Sequence, residues 1–266
     1  MRERIIYEHL LDMRRGSVPG LIPEATTFLA PDYKPGRVEG KPGYWKPVNP
    51  SLATRLPPAR SRGHSRGFII DPATDRRVVY ESQLERIMAY VLAADPRVAQ
   101  LYDQPEAIVY RKRDGSVHKH TLDFIAVSTT GKRTGIAVKP TEHLKSSEIE
   151  DTISLIEQQT AGRVADRFII MTERSLTGTQ GHNASTIVWA REDRNAADVA
   201  AAASAVVTLN GGAMLGDLIP LCTTINPARA RTAIINLIDE GVLAMVGNGR
   251  IDERAEVRPG RRRVVQ

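Results

Sequence analysis

Hydrophobic positions along this chain change their period several times, and each change marks an element. Leu84, Ile87, Met88, Val91 and Leu92 recur at helical spacing and line one stripe. Asp95-Pro96 closes that helix, because the residue before a proline avoids the helical region. Extended segments follow: EAIVYR at 106–111, VHKHTLDFIAV at 117–127 and TGIAVK at 134–139. Arg113-Asp114-Gly115 and Thr129-Thr130-Gly131-Lys132 are breaks of the kind expected between antiparallel strands. Ser146 or Ser147 is placed to cap a helix carrying Ile149, Ile153 and Ile156. RFIIM at 167–171 reads as a short strand buried on both faces. Helix, three strands, helix, strand is the order of a mixed α/β domain.

The flanks have other textures. Residues 1–66 hold Pro31, Pro35, Pro42, Pro47, Pro50, Pro57 and Pro58, which predicts an extended arm with one short helix near 3–14. That arm is either a disordered leader or a strap over the catalytic domain or a DNA backbone. NAADVAAAASAVV at 195–207 is helical and alanine-rich. A short helix is expected at Met214–Ile219, and a longer one opens with Pro227 and carries Ala230, Ala233, Ile234, Leu237 and Ile238. Gly241 is placed as its C-cap, and two short strands flank Gly247-Asn248-Gly249. Helix, helix, hairpin is the pattern of a winged helix; the other reading is a small helical bundle. The organisation expected is an arm at 1–66, a catalytic domain at 67–175, a helical linker at 176–206, a winged-helix-like α+β domain at 207–256 and an Arg-rich tail at 257–266.

Composition narrows the setting. The single cysteine, Cys222, forms no internal disulfide, which fits a reducing cytosol. No apolar run approaches the ~20 residues that span a bilayer, and MRERIIYEHLLDMRRG lacks a signal-peptide core, so a cytoplasmic protein without a membrane partner is expected. The net charge of +6 and pI near 9.6 favour a polyanionic partner. Arg55, Arg60, Arg62 and Arg66 share an acid-free stretch, and Arg258, Arg261, Arg262 and Arg263 close the chain. Exposed arginine also serves solubility, so Arg60, Arg62, Arg66 and the four tail arginines are DNA-binding candidates on charge alone.

Three charged residues stand in segments that otherwise build a core. Glu85 lies beside the apolar stripe of the first helix, one turn after Glu81. Asp123 interrupts the strand Thr121–Val127, and Lys139 ends the strand Gly135–Lys139 just before Pro140. Adjacent antiparallel strands would bring Asp123 and Lys139 to one end of a sheet. Two carboxylates with waters and a phosphate oxygen would form an oxygen-rich site suited to Mg²⁺, with Mn²⁺ able to substitute. Such a metal lowers the pKa of a bound water, and Lys139 would act as a point charge on the transition state.

A strand with an Asp near its middle, a turn, then a strand ending in apolar-x-apolar-Lys resembles the PD-(D/E)xK, restriction-enzyme-like nucleases. Over residues 81–143 the chain is similar to the TnsA family of transposon endonucleases. The similarity rests on Ser82-Gln83-Leu84-Glu85, Asp103-Gln104-Pro105, His120-Thr121-Leu122-Asp123-Phe124 and Ala137-Val138-Lys139-Pro140. In that family the helix acid precedes a Gln-Phe or Gln-Pro element by about nineteen residues, a spacing that Glu85 and Gln104 share. The resemblance implies a restriction-endonuclease-like mixed sheet flanked by helices and catalytic roles for Glu85, Asp123 and Lys139. It implies Mg²⁺ held by Glu85, Asp123 and the Val138 carbonyl. The implied activity is cleavage of double-stranded DNA at the 5′ ends of a mobile element, beside an integrase-type transposase and an AAA-type ATPase regulator.

One position departs from the family. Where it has Gln, and related nucleases have Glu, this chain has Ala137, which offers no ligand. The Val138 carbonyl and waters, or Glu81 or Glu142, would have to compensate. Ala137 keeps open a non-catalytic DNA-binding or assembly protein on a nuclease fold; a stand-alone restriction or phage endonuclease is a further alternative. His118 and His120 alternate on a strand and share a face without a third ligand in reach. No phosphate-binding loop or Ser-His-Asp motif is visible, and Gly247-Asn248-Gly249 is a turn.

Overall fold

A computed structural model of the chain describes residues 48–55 and 65–260, a mixed α/β structure with several sheets. Its contacts divide into two units. The first gathers the described residues up to Ile70, with Thr74–Ser82 and Arg97–Ser175; the second gathers Asp71–Ala73, Gln83–Pro96 and the chain from Leu176 onward.

A two-stranded sheet of β1 (Gly67–Asp71) and β2 (Arg76–Tyr80) comes first, followed by α1 (Gln83–Ala94), whose residues belong to the second unit. The first unit then continues with β3 (Val98–Asp103), β4 (Ile108–Arg111), β5 (Val117–His120), β6 (Phe124–Ser128), β7 (Arg133–Val138), α2 (Ile149–Thr160) and β8 (Arg167–Met171). Its main sheet runs β3-β6-β7-β8. The first two pairings are antiparallel and β7–β8 is parallel, with α2 in the crossover that parallel strands require. Ile149, Ile153 and Ile156 of α2 are buried with Leu122, Ala137 and Phe168. Gly135 sits where this packing is tightest: a Cβ there would lie 2.7 Å from Phe168 Cδ1 and 2.9 Å from Leu122 Cδ1.

Two sequence expectations are corrected here, and one strand is added. Residues 117–127 are two strands: β5 pairs with β4 in a separate ribbon, and the chain breaks at Thr121–Asp123 before β6 begins. The alternation could not show this, because Leu122 is fully buried on the break and keeps the apolar rhythm going. Neither Ser146 nor Ser147 caps α2. The N-cap is Glu148 in the left-handed region, φ 51°, without a side-chain cap, while the Ser147 hydroxyl donates back to His143 O. The strand β3 was not anticipated; its outer half, Ala99-Gln100, is exposed and bulged, which blurs the period of two.

In the second unit, α1 lies against α3 (Gly178–Glu192), which starts in a capping box of Thr177 and Gln180. Close approach is possible because position 181 is glycine; a Cβ would stand 2.9 Å from Ile87 Cγ1. Tyr90 meets Trp189 edge-to-face at 6.2 Å. Then come α4 (Ala196–Val206), β9 (Ala213–Met214), α5 (Leu215–Leu218), a 3-10 turn at Ile219–Leu221, α6 (Pro227–Asp239), β10 (Leu243–Met245) and β11 (Glu256–Pro259). The three strands form an antiparallel sheet in the order β10-β11-β9. Asn226 caps α6, Pro227 opens it, and Gly241 takes the left-handed conformation just beyond its end. Residues 176–206, expected to be a helical linker, are helical as α3 and α4, and Ala190, Val199, Ala202 and Val206 join Leu215, Ile234 and Val257 in one core. Residues 257–259, expected in a tail, are strand, because Val257 is fully buried.

Arg191 ties this unit together. Its guanidinium donates to Ala93 O (2.8 Å) and Ala94 O (2.7 Å), carbonyls of the last turn of α1 that have no partner within the helix. The same group binds both carboxylate oxygens of Asp239 at 2.7 Å, and this partner pushes the Arg191 pKa up.

Gly135→Ala should destabilise the protein by about 1–3 kcal/mol, the cost of an extra methyl in a full core. Urea unfolding should show a lower midpoint with an unchanged slope; an unaltered midpoint would mean that Phe168 and Leu122 yield freely.

Candidate active site

Register decides which residues meet. Asp103 pairs with Phe124, Phe124 with Ile136, Ile136 with Ile169, and Val138 with Met171. The last residues of β3, β7 and β8 and the first of β6 therefore share one end of the sheet. Asp103-Gln104, Asp123 and Lys139 stand there in a row, all in the first unit.

Asp123 is fixed by the end of the ladder. Its N–H donates to Ile136 O at 3.0 Å, and its carbonyl accepts from Gln104 N at 2.9 Å. Its carboxylate Oδ2 accepts the N–H of Val138 at 2.7 Å, in place of a backbone oxygen. Oδ1 accepts from Gln104 Nε2 at 3.4 Å. Lys139 is anchored one residue further on, its N–H donating to Met171 O at 2.9 Å. The half-buried His120 lies within reach of the Lys139 charge: burial first, and then that charge, pull its pKa below the ordinary histidine value. Its Nε2 is buried and has no hydrogen-bond partner among the described residues. The exposed Glu173 carboxylate is bound by Thr141, whose side chain first and then its N–H (2.9 and 3.2 Å) lower the pKa of that acid.

Gln104 links this site to the segment 48–55, inside the region expected to be an arm. Held at φ 40°, Gln104 offers its carbonyl to Thr54 N and Thr54 Oγ1, both at 3.1 Å. Asp103, fully buried, accepts from Ser51 Oγ and Val79 N, each at 2.6 Å. Burial drives its pKa up, while the Ser51 hydroxyl pulls the other way. The role of Asp103-Gln104 was missed except as a shared motif. A signal was present: two polar residues follow Leu101-Tyr102 where a core-forming strand ends.

Glu85 is buried on α1, 8% exposed, and so belongs to an element of the second unit. Ala137 is buried in the apolar cluster under α2. Neither acid considered in its place is set aside for a metal: Glu81 is paired with Arg55 at 3.0 Å, and Glu142 is exposed beside His143. The Val138 N–H, rather than its carbonyl, serves Asp123. Arg66 is half-buried and Arg258 is exposed on β11, while Arg60, Arg62, Arg261, Arg262 and Arg263 lie outside the described residues, as does the short helix expected near 3–14. Among the described residues no group of three or more His, Cys, Asp or Glu is arranged for a metal, and no helix is long and apolar enough to cross a membrane. A carboxylate near a lysine and an unpartnered imidazole nitrogen still fits a divalent ion that brings its own waters and a phosphate.

No protein-family model matches this chain, and no curated protein matches it significantly.

Two outcomes follow from the bonds of Asp103 and Asp123. Asp123→Ala should cost about 1–3 kcal/mol, because it strands the Val138 N–H, whereas Asp123→Asn retains an acceptor and should cost less. Thermal or urea unfolding of the pair measures the difference. Asp103 binds its proton more tightly folded than unfolded, so its contribution to stability is present at low pH and is lost as pH rises through the raised pKa. Ser51 offsets that loss by bonding the charged form. Ser51→Ala should therefore cost more at about pH 7 than at about pH 4, by roughly the ~1 kcal/mol between charged and neutral hydrogen bonds. An equal cost at both would show that Asp103 does not titrate in this interval.

Proposed function

We propose that the chain is a metal-dependent DNA endonuclease of the restriction-enzyme-like type, similar to the TnsA subunit of a transposition machinery. The observation that carries the reading is the sheet end itself: Asp123 bonded to Val138, Lys139 next in sequence, and His120 with an open ring nitrogen. Asp123 would hold Mg²⁺ or Mn²⁺; Glu85 enters as second carboxylate from the resemblance alone. The ion would supply an acidified water and neutralise charge on the phosphate. Lys139 would hold its ammonium against the scissile phosphate as negative charge builds. Gln104 and the Val138 N–H keep the Asp123 carboxylate in one orientation, and His120, kept neutral, can accept or donate one hydrogen bond.

For the second unit we propose a winged helix that docks on a protein, such as an ATPase regulator, alongside an integrase-type transposase and duplex DNA. The strand order β10-β11-β9, with β9 between α4 and α5 and the β10-β11 pair after α6, supports the fold. The state of the basic residues on α6 supports the partner: Arg229 is bound through two atoms to Asp198 (2.6 and 2.7 Å), and Arg231 lies 3.6 Å from Glu253. Neither is free to read bases. The buried Ala137 favours a second reading, an assembly protein that retains a nuclease fold without its activity.

A nicking assay on supercoiled plasmid, with Mg²⁺ or Mn²⁺ and with or without the transposase, separates the two. Lys139→Ala, Asp123→Asn and Glu85→Gln should each lower the rate by about two to four decades, the scale of one lost electrostatic group. Parent-like cleavage by all three would discard the site, and a parent that never nicks would leave the assembly reading.

A further inference from the structure

The ribbon of β4 and β5 has two unlike faces. Its pairs are Ile108 with His120, Val109 with Lys119, Tyr110 with His118 and Arg111 with Val117, so alternate pairs point to opposite sides. Ile108 and Tyr110 are buried in the core over α2. On the other side Val109 and Val117 are 54% and 55% exposed, between the exposed Arg111 and Lys119. The turn adds Arg113, and the only acid from 107 to 120 is Asp114, whose carboxylate is folded back onto the N–H and hydroxyl of Ser116. Lys112 is engaged by Glu148, which leaves Arg111, Arg113 and Lys119 as the cations of this face.

The ribbon is also held still. The Gln159 side chain accepts from Arg111 N (2.9 Å) and donates to Arg111 O (2.8 Å), so it pairs with the β4 backbone as a neighbouring strand would. Tyr110 Oη lies 3.4 Å from Thr152 Oγ1. A rigid two-stranded ribbon is one of the two shapes that a major groove of about 12 Å admits. Its strand β5 runs directly into the break that carries Asp123.

We propose that the exposed face of β4–β5 is a DNA-binding surface, which seats in a groove of duplex DNA through phosphate contacts from Arg111, Arg113 and Lys119. It rests on the nuclease reading for its choice of partner, and it deepens that reading by naming how substrate reaches the Asp123 end of the sheet. Val109 and Val117 pack against the groove wall, and the cations hold the backbone without reading sequence.

The test is binding rather than cleavage. Affinity of the full chain for a duplex DNA is measured against salt in the presence of a chelator. The parent is compared with Arg111→Ala/Arg113→Ala/Lys119→Ala and with a charge-matched control, Lys132→Ala/Lys145→Ala/Arg254→Ala. Circular dichroism and melting establish that all three are folded. The ribbon variant should bind at least about tenfold more weakly near physiological salt, with a log–log slope shallower by about 2–3 units, and the control should match the parent. An unchanged slope and affinity in the ribbon variant, or an equal loss in the control, would overturn the proposal. So would a loss seen with duplex RNA and not with duplex DNA. A parent that binds through the ribbon yet never nicks would sink the nuclease reading while sustaining this one.

Discussion

The first unit depends on one bond, from the Val138 N–H to the Asp123 carboxylate. β6 begins only at Phe124, so β7 lacks a backbone partner for its last N–H, and the Asp123 side chain supplies the missing oxygen. The aspartate cannot turn away without stranding a buried donor. Its position is thus enforced by the hydrogen-bond requirement of the sheet, and the charge comes to rest at a fixed place beside Lys139. Gln104 extends the same logic to β3, since its backbone and side chain both address Asp123 while its carbonyl holds the segment 48–55.

In the second unit, three arginines are committed to structure. Arg191 joins the ends of α1 and α6, Arg229 neutralises the nearly buried Asp198, and Arg194 pairs with Glu240. The net charge of the sequence therefore overstates what is available to a polyanion in this part of the chain. In the first unit the balance differs, because the ribbon cations have a single acid among them, and it is turned inward.

Much of this was legible in the sequence where one period ran uninterrupted. Leu84 to Leu92 announced α1, Ile149 to Ile156 announced α2, and Pro227 and Gly241 bracketed α6. The meeting of Asp123 and Lys139 followed from an antiparallel turn between two strands. What stayed hidden depended on long-range pairing. The rhythm of 117–127 concealed a change of sheet, since a buried Leu122 looks the same on a strand and on a break. That α1 groups away from the residues that follow it depends on Gly181 and Trp189, about ninety residues on, and no local pattern carries that information. Nor does an alanine at 137 disclose whether its surroundings are a vacant ligand position or, as here, a packed wall.

The distance along the chain between α1 and α3 also sets an order of events during synthesis. More than eighty residues separate Ala94 from Gly178. At ribosomal speeds of about 5–20 residues per second, roughly 4–17 s pass before the partner helix emerges. Through that interval the side chains of Ile87 and Tyr90, which meet Gly181 and Trp189 in the finished protein, have no α3 to cover them. The sheet of the first unit is complete at Met171, so it can close while α1 still waits. A nascent chain whose first 175 residues have emerged therefore leaves this stripe of α1 uncovered until α3 follows.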